Sequence, residues 1–156
     1  LRFGREKTPI FTTEDTPFLI GRAETLWSSK KPQVVIIGCG PLLYNALRAA
    51  QELEKEKIGV TVINSHTVKP LDERTILAAA RKAGAVVTVE EHQVAGGLGG
   101  AVAELLAKKA PMPMEFIGLQ GVFGESGSPS QLLEKYHMDV PSIISAVKRV
   151  VARKAV

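Results

Sequence analysis

Short apolar runs, each of strand length and each followed by turn residues and a helical stripe, constrain this chain more than any other feature. Gln33-Val34-Val35-Ile36-Ile37, Val60-Thr61-Val62-Ile63-Asn64, Val86-Val87-Thr88-Val89 and Met114-Glu115-Phe116-Ile117-Gly118-Leu119 are rich in β-branched residues and bounded by Gly, Pro or polar residues. Near-continuous apolar strands are those of parallel sheets, which are covered by helices on both faces. The intervening segments supply the helices. Leu43, Ala46, Leu47, Ala50 and Leu53 form one stripe, broken before Gly59; Asp72 is placed to cap a helix carrying Ile76, Leu77, Ala80 and Ala83, ended by Gly84. A third helix runs from about Leu98 to Lys108, with Val102, Leu105 and Leu106 inward and Pro111 and Pro113 beyond its end. Ser128-Pro129-Ser130-Gln131 reads as a capping box ahead of a short helix, Leu132 to Tyr136. Asp139 and Pro141 start a final helix with Ile143, Ile144, Val147, Val150 and Val151 on one face. Phe18 to Trp27 is a weaker strand pattern, interrupted by Gly21, that suits a sheet edge. The pattern predicts an α/β fold: a three-layer α/β/α sandwich around a mainly parallel five-stranded sheet with one antiparallel edge strand.

The 156 residues are enough for one domain with a substantial core. Basic residues come in scattered pairs, such as Lys108-Lys109 and Lys148-Arg149, near expected helix ends, where cations suit the dipole. With only 5% aromatic residues there is no basic stripe with interleaved rings, so no nucleic-acid partner is expected. Cys39 is the one cysteine, which excludes an internal disulfide and points to a reducing cytoplasm. No apolar run approaches the ~20 residues of a membrane span, so no membrane partner is expected. The sequence opens without Met and without a signal-peptide core. Thr8-Pro9, Thr12-Thr13-Glu14-Asp15 and Thr16-Pro17 are turn and linker chemistry. Residues 1–16 therefore read as the extended, poorly anchored tail of a preceding domain plus a linker, and 17–156 as the domain proper.

The stretch richest in chemistry follows the third apolar run. Glu90, Glu91 and His92 stand where that strand leaves the carboxyl edge of the sheet, and Gly96-Gly97-Leu98-Gly99-Gly100 leads into the next helix. In open α/β sheets this edge carries ligands or partner surfaces. The charged trio can be read as an acid/base group or as capping and domain-contact residues, and the sequence leaves both open. Gly38-Cys39-Gly40 sits at a strand-to-helix turn like a dinucleotide fingerprint, but Leu43 replaces the third glycine and Asn64 replaces the ribose-binding acid. A tight turn is the better reading, although a helix start of this kind can hold a small anion. Cys39 lacks a CxxC partner and reads as a structural thiol. His66, His92 and His137 show no metal-ligand spacing. Gly124-Glu125-Ser126-Gly127 lacks the spacing of a nucleophile elbow. No catalytic residue and no metal ligand is assigned.

Taken in order, Thr67-Val68-Lys69-Pro70-Leu71-Asp72, Val87-Thr88-Val89-Glu90-Glu91-His92 with Gly96-Gly97-Leu98-Gly99, and Phe123-Gly124-Glu125-Ser126-Gly127 resemble the carboxyl-terminal domain of the transketolase family. The family includes transketolase, deoxyxylulose-phosphate synthase and the beta subunits of 2-oxo-acid dehydrogenases. The likeness spans nearly the whole chain and is closest to the Glu-Glu-His form, including split transketolases whose carboxyl-terminal half is a separate subunit. It implies a two-carbon ketol transfer between sugar phosphates in the full enzyme, a cytoplasmic dimer. The thiamine diphosphate and Mg would be held between upstream diphosphate-binding and pyrimidine-binding domains, and the glutamate that activates the aminopyrimidine would precede Leu1. This part would serve domain packing and dimerisation and be inactive alone. Arg2 to Pro9 resembles the end of the pyrimidine-binding domain, and there Arg5 would hold a substrate phosphate through its guanidinium fork, with Gly4 where transketolases commonly have serine. Glu90, Glu91, His92, Gly96, Gly97 and Gly99 would then lie at a domain or subunit contact. The alternatives are a free-standing α/β module, regulatory or binding a small anion at Gly38–Gly40 or Gly96–Gly100, a nucleotide-dependent oxidoreductase domain, and the equivalent domain of a deoxyxylulose-phosphate synthase or 2-oxo-acid dehydrogenase beta subunit.

Overall fold

Each of the β-branched runs becomes a strand of a single sheet. The computed structural model describes residues 7–155. In chain order the elements are β1 (Glu24–Ser28), β2 (Val34–Cys39), α1 (Leu42–Lys55), β3 (Val60–Asn64), α2 (Glu73–Ala83), β4 (Val86–Gln93), α3 (Leu98–Lys109), β5 (Met114–Leu119), α4 (Pro129–Lys135) and α5 (Val140–Ala152), closed by a 3-10 turn at Arg153–Ala155. The sheet order is β1-β3-β2-β4-β5. The β3-β2, β2-β4 and β4-β5 pairs are parallel, and β1 runs antiparallel to β3 at the edge. The expected α/β/α sandwich and five-stranded sheet are what the chain forms.

The unbroken apolar strands are explained by the two helical layers. Val34, Ile36, Val62, Val87 and Val89 face one side and pack with α1 and α5. Val35, Ile37, Ile63 and Val86 face the other and pack with α2 and α3. Successive residues of a strand point to opposite faces, so both sets must be apolar. Gly38 lets α1 come down onto this sheet: a Cβ there would lie 2.5 Å from Cγ2 of Val89 and 3.0 Å from Cδ2 of Leu43. The helix α2 is bounded as its sequence predicts. Asp72 accepts from the Thr75 amide at its start, and Gly84 (φ 74°) adopts the left-handed conformation at its end.

Local departures from expectation have physical causes. The edge strand begins at Glu24 rather than Phe18, because Gly21 takes a positive φ and turns the chain. The segment before it is strapped down instead: Thr67 Oγ1 accepts from Gly21 N, His66 Nε2 pairs with the Leu19 carbonyl, and Asp72 accepts from Ala23 N. The strand β4 runs on through Gln93, past the charged trio, with a bulge against β5 between Val89 and Gln93. Ser128 does not close a capping box: its hydroxyl donates to Gln131 Oε1 (2.6 Å), and α4 starts at Pro129 instead of Leu132. Residues 7–16 form no helix or strand and are mostly exposed, with Phe11 packing against the core on the α1 and α5 side. Among the described residues no helix is long and apolar enough to cross a membrane.

Candidate functional site at the carboxyl edge of the sheet

The parallel strands bring Cys39, Asn64, Gln93 and Leu119 to one edge. The chain passes from β2 to β3 on one side, then returns to β4 on the other side of β2, so the carboxyl ends of β2 and β4 form the topological switch point. Cys39 is the register partner of Glu90 there.

Glu90 is the central residue of this edge, and it points inward. It is only 2% exposed. Its two carboxylate oxygens accept from Leu98 N (2.8 Å) and Gly99 N (2.7 Å), the first amides of α3. The N-cap residue of α3 is Gly97, which has no side chain to satisfy those amides. The carboxylate reaches across from β4 to do so, at the helix end where negative charge is favoured. The glycines make room for it. A Cβ on Gly97 would run into Glu90 Oε2 and the Gln93 carbonyl, and one on Gly99 would sit 3.1 Å from Glu90 Oε1 and 3.0 Å from Thr88 Oγ1. Thus Glu90, Gly97 and Gly99, expected at a domain or subunit contact, form a capping unit inside the chain. Glu91, His92 and Gly96 are accessible: Glu91 is half-buried at the wall of a groove, while His92 and Gly96 are exposed. His92 Nδ1 lies 3.0 Å from the Gln93 carbonyl. Arg5, expected to hold a phosphate, lies outside the described residues.

Gln93 was not singled out by the sequence, and it organises the neighbouring loop. Its amide nitrogen donates to the Val122 carbonyl (2.6 Å) and its oxygen accepts from Gly121 N (2.9 Å). Tyr136 Oη donates to the Phe123 carbonyl, and Lys135 pairs with Glu125 (2.6 Å), which raises the ammonium above its usual range chiefly through that hydrogen bond. The sequence signal was present but slight: a bidentate amide at the end of a strand, opposite a Gly-rich loop. Between this loop, α1 and α4 lies a groove of about 660 Å³, walled by Pro41, Leu42, Tyr44, Leu119, Leu133 and Tyr136. A smaller cleft of about 390 Å³ separates the strap around Phe11 to Phe18 from Gly40, Asn64 and His66. His66 stacks on Phe18 with ring centroids 4.5 Å apart.

Among the described residues no three His, Cys, Asp or Glu side chains gather in a way that could hold a metal ion. The amides of Leu98 and Gly99 are taken by Glu90, and that of Gly100 by the Val94 carbonyl. The Gly96–Gly100 turn therefore has no spare fan of N–H groups for a phosphate. At the other turn, Leu43 N and Tyr44 N already bond the Gly40 and Pro41 carbonyls. These residues do not fit a diphosphate and its metal. Cys39 is half-buried at the end of β2 rather than fully enclosed. Asp72, the carboxylate that caps α2, is acidified: burial opposes ionisation, but the Ala23 and Thr75 amides and the Thr75 hydroxyl outweigh it.

A sheet of this order, with its switch point capped from within by Glu90, defines an open, mainly parallel α/β domain. Comparison with known proteins says which. Residues 21–143 match the family model described as "Transketolase, C-terminal domain". The chain is 39% identical over 154 residues to the 6-deoxy-6-sulfo-D-fructose transketolase subunit SqwH of Clostridium sp. (strain MSTE9), covering 99% of this chain and 47% of that protein. It is 37% identical to the transketolase of Rattus norvegicus, covering 98% of this chain and 25% of that protein. Among solved structures, a split-gene transketolase described as an inactive β4 tetramer superposes with a TM-score of 0.91 at 40% identity, over 97% of this chain and 49% of that one. The transketolase of Campylobacter jejuni, 21% identical over 88% of this chain and 20% of its own, shares the fold with a TM-score of 0.63. The chain belongs to the transketolase C-terminal domain family. It spans about half the length of SqwH and about a quarter of the rat enzyme.

Proposed function

We propose that this chain is the carboxyl-terminal part of a thiamine-diphosphate-dependent transketolase, a cytoplasmic enzyme that moves a two-carbon ketol unit from a ketose phosphate to an aldose phosphate. The observation that carries the reading is the near-complete coverage of this chain against half of a transketolase subunit. The part played here is structural: packing against upstream pyrimidine-binding and diphosphate-binding domains, or a separate subunit that carries them, and supporting a homodimer. Thiamine diphosphate supplies the carbanion chemistry when bound, and it and Mg belong to those upstream domains. His92 and Gly96, exposed, and Glu91, half-buried at the groove wall, are the residues of this edge that would face a neighbour. Glu90, Gly97 and Gly99 act behind them by holding α3 to β4. A free-standing anion-binding module is disfavoured at Gly96–Gly100, where Glu90 fills the place an anion would take.

The reading is tested by reconstitution. The chain alone, given ketose and aldose phosphates with thiamine diphosphate and Mg, should show no ketol transfer. Adding its upstream half should give transfer that disappears when thiamine diphosphate is withheld. Turnover by the chain alone, or turnover of the complete enzyme that ignores the cofactor, overturns the proposal. Tight binding of a dinucleotide to the chain in calorimetry would favour an oxidoreductase domain instead.

A further inference from the structure

The large hydrophobic side chains that the described residues expose are Ile10, Phe18, Leu19, Ile20, Val68, Val122 and Phe123. None belongs to α1, α2, α3, α4 or α5. All lie in the strap and loops outside the regular elements. Val68 follows the carboxyl end of β3, and Val122 and Phe123 follow that of β5. Among the described residues, then, the most exposed large apolar side chains lie outside the helices. Phe123 is the extreme case, at 98% exposure. It is not on a slack loop. Gln93 holds the two residues before it through Gly121 N and the Val122 carbonyl, Tyr136 holds its own carbonyl, and the Lys135–Glu125 pair holds the residue two beyond. A ring carried into water on a backbone tethered on both flanks costs less loop ordering when it enters a pocket, and aromatic anchors of this kind dominate interface energetics.

We infer that the Phe123 loop is the docking knob of this domain, that its occupant is an apolar pocket on the upstream, cofactor-bearing half of the enzyme, and that Gln93 is the residue that positions it. The inference rests on the proposed function for the identity of the partner. Its own support is the placement. Lys7, Thr8 and Pro9 line the same groove as Gly124 and Glu125. The connection toward any preceding domain therefore runs beside the knob, and the relatives' remaining half or three-quarters of chain supplies the partner. A neighbour reached through Lys7 meets the Phe123 loop without crossing the helical layers. The groove between α1 and α4 flanks the knob and widens the apolar contact.

Hydroxyl-radical footprinting compares Phe123 in the chain alone and in the assembled enzyme, alongside thiamine-dependent ketol transfer. Phe123 should react freely in the chain and be protected about tenfold or more on assembly. Phe123→Ala should weaken association of the two halves about 30-fold, as for an aromatic hot spot, with an unchanged far-UV spectrum because the ring packs against nothing in the chain. Gln93→Ala should weaken it as well, but only while Phe123 is present. A double-mutant cycle reads that coupling, which a general structural role for Gln93 would not produce. Phe123 as reactive in an active assembly as in the chain overturns the inference. So does protection that appears in a homo-oligomer of the chain and is not increased by the upstream half, which would make a second copy the occupant. A protected Phe123 in an assembly without thiamine-dependent transfer would uphold the docking surface and sink the functional reading.

Discussion

Replacing Glu90 with Ala should destabilise the domain by about 4 kcal/mol, because it strands two buried donors. The amides of Leu98 and Gly99 have Glu90 as their acceptor, at 2.8 and 2.7 Å, in a place that is 2% exposed. Each buried donor left unpaired costs roughly 1–3 kcal/mol, and the loss of a helix cap alone costs about 1 kcal/mol. Relief from burying the carboxylate itself offsets part of the sum. Glu90→Gln keeps one oxygen for one amide but turns an NH2 toward the other, so its cost should be about half. For a domain of this size each kcal/mol moves Tm by about 2–4 °C, so Glu90→Ala should lower it by about 8–16 °C. Urea denaturation followed by far-UV circular dichroism gives the free energies, and amide exchange should show Leu98 and Gly99 losing protection first. A Glu90→Ala protein within 1 kcal/mol of wild type, with those amides still protected, would refute the capping role.

Other substitutions test neighbouring parts of the account. Gly97→Ala should cost about 3 kcal/mol or more in denaturant melts, because the new Cβ would overlap Glu90 Oε2 and, less avoidably, the Gln93 backbone carbonyl. A Gly96→Ala protein meets no atom within 4 Å and suffers only the strain of its positive φ, so it should lose about 1 kcal/mol. Asp72→Ala should lose about 1–2 kcal/mol with the cap of α2. Asp72 also has a pH signature. Its folded pKa lies below the ordinary 3.8, so its stabilisation is complete above that value and fades as pH falls through the folded one. Acid titration of unfolding should therefore be shallower below about pH 4 in Asp72→Asn than in wild type.

The framework was legible because the central strands β2, β3 and β4 are largely apolar on both faces and the helices between them carry apolar stripes. Asp72 and Gly84 mark α2 without any knowledge of the rest. What the sequence concealed was long-range polar pairing. Glu90-Glu91-His92 reads equally as an acid/base group or as capping and contact residues, and only the fold shows that Glu90 turns under to cap amides eight and nine residues on. The glycines at 97 and 99, expected at a contact, leave the space that carboxylate fills. Gln93 was invisible for the same reason: its partners lie 28 and 29 residues away, across a bulge. At Ser128 a local capping pattern was present, but the hydroxyl chose the Gln131 side chain. Local chemistry is written in adjacent residues, whereas the wiring of this edge depends on which strands become neighbours.

The central claim is that the carboxyl edge of this domain docks and supports, while the reacting groups lie on the upstream domains. Steady-state kinetics of the assembled enzyme carrying His92→Ala, with both halves at saturating concentration, tests it most directly. His92 is exposed, and the hydrogen bond seen for its ring is to the adjacent Gln93 carbonyl. The account predicts kcat within a few-fold of wild type, with any larger effect confined to KM or to the concentration needed for assembly. A loss of kcat by several orders of magnitude in a fully assembled enzyme would place His92 among the reacting groups and contradict the claim.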